Sequence, residues 1–165
     1  HPALAPIGDP MKSLAVALAL AATLAIASLP ARAADPHHHG PDASAASLKL
    51  NNGKKWGTDE PLRRGMSSIR ETVHGAPAPL HKGTAKPEAY AEVAGRIEAD
   101  VGRIVKECKL PPDADAQLHI VVAEVIAGAD AMKAARDGKA GRAGLVKVDG
   151  ALKSYGKYFD HPGWK

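Results

Sequence analysis

Met66, Cys108, His119 and His161 carry the side chains of this sequence best suited to soft-metal chemistry. Thiolate, thioether and imidazole groups together suit copper(I), and a Met/His pair suits low-spin haem iron. Met66 shares a helical period with Leu62, Ile69 and Val73, and Cys108 closes a stripe formed by Val93, Ile97, Val101 and Ile104. At about 100° per residue, His119 falls on the flank of a third stripe, Leu118, Val121, Val122, Val125, Ala129 and Met132. His37, His38 and His39 add three consecutive imidazoles, a tail able to attract metal weakly. Four of the six aromatic residues, Tyr155, Tyr158, Phe159 and Trp164, fall in the last eleven positions, where they could cap a cofactor.

These residues need elements to hold them, and the sequence marks four helices. Thr58-Asp59 with Pro61 opens the first, and Gly75 with Ala76-Pro77-Ala78-Pro79 ends it. Thr84, Pro87 and Glu88 open the second, which Leu110-Pro111-Pro112 stops. Asp113 is expected to cap the third, and Asp137-Gly138 with Gly141 forms the next break. The fourth carries Leu145, Val148, Leu152, Tyr155 and Phe159, and His161-Pro162-Gly163 terminates it. Apolar and polar residues never alternate for long enough to mark a strand. Short connections favour antiparallel neighbours, so the expectation is all-α: an up-down-up-down four-helix bundle over 58–165. Met66, Cys108, His119 and His161 would then gather toward one pole.

Ahead of the helices, residues 34–57 read as a flexible, His-containing lead-in. Met11 and Lys12 begin a secretory signal peptide: Leu14 to Leu29 is apolar apart from Thr23 and Ser28, and Ala31-Arg32-Ala33 supplies small residues at the cleavage positions. The apolar run is shorter than the roughly 20 residues of a membrane span, so no stable membrane insertion is expected after cleavage near Ala33. Residues 1–10 have no pattern and read as lying ahead of the true start. The expected location is the periplasm.

Composition narrows the function further. A single cysteine forbids an intramolecular disulfide, so packing or a cofactor must hold the fold. The formal net charge is +4, but the charges are mixed and no long run of one sign occurs, which excludes a nucleic-acid footprint. No Cys-x-x-Cys-His is present for covalent haem, and no Gly-rich loop joins a strand to a helix. Cys108 sits at a helix C-terminus, where the dipole opposes a thiolate, so it does not read as a catalytic nucleophile. No enzyme is expected.

With Met66 early in the first helix and His161 near the end of the last, the layout resembles the soluble periplasmic b-type cytochromes. That resemblance implies non-covalent haem held between Met66 and His161. His161 precedes Pro162-Gly163, just past the helix end, which makes His119 the alternative partner of Met66. Asn52-Gly53-Lys54-Lys55-Trp56, Pro61-Leu62-Arg63-Arg64-Gly65-Met66 and Tyr158-Phe159-Asp160-His161-Pro162-Gly163-Trp164 are also similar to segments of small exported proteobacterial proteins. Two functions follow as expectations. One is a copper- or haem-binding protein with a redox or metal-transfer partner. The other is a non-catalytic envelope protein that binds a protein partner and no cofactor, with Met66 and Cys108 as ordinary core.

Overall fold

The computed structural model describes residues 47–165. The expected signal peptide and His37, His38 and His39 lie outside the described residues. The protein is all-α: α1 spans Glu60–His74, α2 Ala78–Lys82, α3 Pro87–Glu107, α4 Pro112–Lys133 and α5 Gly138–Tyr158, with no strand among the described residues.

Local chemistry accounts for the boundaries. Asp59 caps α1 by accepting from the Leu62 N–H at 2.9 Å, and Pro61 fills a position where an N–H would be unsatisfied. Asp137 caps α5 in the same way, accepting from Ala140 at 2.7 Å. Asp137-Gly138 is thus the start of α5, and Gly141 lies inside it rather than in the break. Asp113 does not cap α4. Pro111 holds that position, and Asp113 and Asp115 instead place negative charge in the first turn, where the helix dipole favours it. The segment after Gly75 holds a fifth element, the one-turn α2, closed by Gly83 at φ 75°.

Paired residues give the directions of the four long helices. Arg64 meets Glu107 and Ser68 meets Asp100, so α1 and α3 run antiparallel. Lys133 meets Glu98, while Leu118 and Ile104 share a groove, so α3 and α4 also run antiparallel. Gly128 lies against Val148 and Gly144 against Met132, which sets α5 antiparallel to α4. Leu62, Met66, Ile69, Ile97, Ile104, Val125, Met132, Leu145 and Tyr155 fill the space between, each almost completely buried.

Part of the lead-in is tied to the C-terminal end. Asn52 and Gly53, both at positive φ, make a tight turn closed by Asn51 and Lys54. The Trp56 N–H then donates to Tyr158 O at 2.8 Å, and the Asp160 N–H donates to Trp56 O at 2.8 Å. The Trp56 indole N–H reaches back to Lys49 O at 2.6 Å. Residues 49–58 therefore clasp the end of α5.

Candidate functional site

The Leu110-Pro111 turn folds the last turn of α3 against the first two turns of α4. Between them lies a small groove of about 60 Å³, lined by Ile104, Val105, Cys108, Asp115, Leu118, His119 and Val122. Two of the residues chosen by type and spacing, Cys108 and His119, thus meet at one surface.

The His119 side chain is largely exposed, as its place on the flank of the α4 stripe implies. Its Nδ1 lies 2.9 Å from the carbonyl oxygen of Asp115 and 3.3 Å from the Asp115 carboxylate. Both neighbours are acceptors, so Nδ1 carries a proton and donates. In the neutral ring Nε2 then keeps its lone pair. An imidazole held in one tautomer by an oxygen on its far nitrogen is the usual setting of a metal-ligating histidine.

Cys108 caps the C-terminus of α3 and is half-buried. Burial pushes its thiol up to about 12, and the nearby Asp59 charge, a hydrogen bond to Asp59 and the Asp115 charge act in the same direction. At neutral pH the group is a thiol that donates to Asp59. For Asp59 itself, burial works against ionisation. Hydrogen bonds from the Lys109 and Leu62 N–H groups and from Cys108, with the Arg63 charge, outweigh it and hold the carboxyl below its ordinary value. Asp59 therefore caps α1, ties down Lys109 at 2.6 Å and accepts from the thiol.

Met66 and His161 lie elsewhere. Met66 is fully buried within the core and lines none of the cavities described here. His161 stands three residues beyond the end of α5. Its Nδ1 is 3.0 Å from the Tyr155 hydroxyl and its Nε2 is 3.4 Å from Ser67 Oγ. Its ring meets Tyr155 edge-on and packs 4.9 Å from Trp164. Burial, and then the positive charges of Arg63 and Arg70, hold the imidazole below its ordinary pKa. The aromatic cap is thus built around His161. The residues present do not fit a haem between Met66 and His161: the thioether is sealed in packed core, and both ring nitrogens already have partners.

Three acidic residues matter more than their sequence signals suggest. Asp115 stands four residues before His119, a helical spacing that marks the pair in advance. Asp59 reads only as a helix cap, and nothing local announces its contact with Cys108, 49 positions away. Asp100 falls on the apolar α3 stripe and is 2 % exposed, accepting from Ser68 Oγ at 2.8 Å and from Arg103. Glu71 and His74 have the Glu-x-x-His spacing of di-iron carboxylate proteins. Here His74 Nε2 lies 3.0 Å from the Asp149 carboxylate instead.

Comparison with protein-family models, curated proteins and solved structures returns no match. Among the described residues, no three His, Cys, Asp or Glu side chains gather closely enough to hold a metal ion, and no helix is long and apolar enough to cross a membrane.

Proposed function

We propose that this chain is an exported, non-catalytic periplasmic protein, its four long helices forming an up-down-up-down bundle, that handles copper(I) in the α3–α4 groove. The observation that carries this reading is that Cys108 and His119 line the same groove. One soft sulfur and one imidazole nitrogen would suit copper(I). The neutral His119 ring would offer the Nε2 lone pair. Cys108 would supply the thiolate, its thiol proton being released by way of the Asp59 carboxylate to water. Binding therefore releases one proton and strengthens as pH rises.

Val105 is 68 % exposed on the groove's edge and gives a metal-transfer partner an apolar contact beside the ion. The His37–His39 tail would raise the local metal supply. The haem alternative asks for more, because a ring between Met66 and His161 would have to open the packed core.

Copper K-edge absorption of the copper(I)-loaded mature chain tests the assignment. One sulfur near 2.2 Å and one nitrogen near 2.0 Å, roughly the ordinary thiolate and imidazole bond lengths, are expected. A shell of nitrogen alone, unchanged in Cys108→Ser, would move the metal to the histidine tail. A chain that takes up no copper would leave the partner-binding function, with Cys108 and His119 purely structural.

A further inference from the structure

A second surface feature lies on a different helix pair. Between α1 and α5 opens a cavity of about 370 Å³, whose polar lining is Arg70, His74, Asp149, Lys153 and the C-terminal Trp164-Lys165. Its walls are packed into shape. The Trp164 indole stands edge-on to Tyr155, 4.8 Å between ring centres, and lies against the backbone of Gly156. A Cβ on Gly156 would come within 2.6 Å of Trp164 Cδ1, so only glycine lets the indole sit there. Arg70 completes the wall by placing its guanidinium 5.0 Å above the Trp164 ring.

That cation–π contact supplies the guanidinium with no oxygen acceptor, so its N–H donors stay available. Those donors have no carboxylate partner among the described residues. The other charges are partly matched: Lys153 Nζ lies 2.7 Å from Asp149, which also takes His74 at 3.0 Å. Among the described residues Asp149 is the one acidic side chain on the wall, and Glu71 lines only the adjoining cavity that Arg70 and His74 share. Counted by side chain, Arg70, Lys153 and Lys165 against Asp149 leave the cavity with a surplus of positive charge. A guanidinium backed by an aromatic ring and without a carboxylate partner is suited to bidentate contact with an oxyanion.

We propose that this cavity is a binding site for a small oxyanion, a carboxylate or a phosphate, received by the Arg70 guanidinium and seconded by Lys153. The site is independent of the copper groove and stands whether or not that groove binds metal.

Titration of the mature chain with inorganic phosphate and, separately, with succinate tests it, with sodium chloride holding ionic strength constant. Calorimetry reads affinity, and amide shifts in the nuclear magnetic resonance spectrum read location. The expected result is saturable one-to-one binding of at least one anion, with shifts centred on Arg70, Lys153 and Trp164. Preference for succinate would assign an organic acid, and preference for phosphate a phosphorylated ligand. Arg70→Gln should weaken binding at least tenfold while the helical circular dichroism is unchanged, and Arg70→Lys, which keeps the charge but loses the fork, should remain weakened. Gly156→Ala, which displaces the indole, should weaken it as well. Binding of neither anion, equal binding by wild type and Arg70→Gln, or shifts centred elsewhere would each overturn the proposal.

Discussion

His119 Nδ1 lies 2.9 Å from the carbonyl oxygen of Asp115, one helical turn earlier. A carbonyl can only accept, so this contact fixes the proton on Nδ1. The expected neutral form of His119 is the less common Nδ1–H tautomer, and the two ring nitrogen shifts in a long-range proton–nitrogen correlation spectrum would identify it. Finding the proton on Nε2 would remove the lone pair on which the copper site depends.

The helices approach closely where glycines face large side chains. A Cβ on Gly65 would fall 2.7 Å from Ile104 Cδ1, and one on Gly128 would fall 2.6 Å from Val148 Cγ2. Gly65→Ala and Gly128→Ala should each cost about 1–3 kcal/mol, the usual penalty of overpacking. At Gly102 the same methyl meets open space, and Gly102→Ala should be stabilising by about 0.5–1 kcal/mol through helix propensity. Urea denaturation of the three variants checks the sign difference. Stabilisation at Gly65 would show that α1 and α3 can move apart freely.

Asp100 is a carboxylate in the core that depends on Ser68 and Arg103 for its hydrogen bonds. Ser68→Ala removes one of them without changing the shape of the site greatly. A loss of about 1–3 kcal/mol is expected, since the buried acceptor is left unsatisfied on that side. Replacing both partners as Ser68→Ala/Asp100→Leu should recover part of that loss. Equal stability of Ser68→Ala and wild type would mean that water reaches Asp100.

His161 titrates below its unfolded value, first because it is buried and then because Arg63 and Arg70 repel a second positive charge. The unfolded chain therefore binds the proton more readily than the folded one. The stability linked to this group is fully present above about pH 6.5 and is lost as pH falls from there toward the folded pKa. The difference in stability between wild type and His161→Gln should accordingly shrink on acidification through that window. A difference that grows on acidification would mean that protonated His161 has an acidic partner.

Much of the fold was legible because its signals are local. The Leu62, Met66, Ile69 and Val73 stripe, the Asp59 cap and the proline stops follow from one turn of chain at a time. Asp113 reads as a cap because Asp next to proline resembles one, yet Pro111 already has the extended backbone of that position. The α2 turn was hidden among prolines that serve equally as breakers and as first helical residues. At the site, helix order and short connections place Cys108 and His119 toward one pole. Their shared groove depends on how tightly the Leu110-Pro111 turn closes, which no periodicity reports. The separation of Met66 from the groove was equally invisible, since a core-facing methionine has the same spacing whether or not a slot lies beside it.

Copper(I) competition against a colorimetric chelator, run on the mature wild type, Cys108→Ser, His119→Gln and a His37→Asn/His38→Asn/His39→Asn variant, tests the central claim most directly. The account predicts one tightly held ion in wild type. It also predicts at least a hundredfold loss of affinity in Cys108→Ser and a clear loss in His119→Gln. The tail variant should keep the tight ion, and wild-type affinity should rise about tenfold per pH unit below the thiol pKa of about 12. Retention of tight copper by Cys108→Ser, or its loss only in the tail variant, would contradict it.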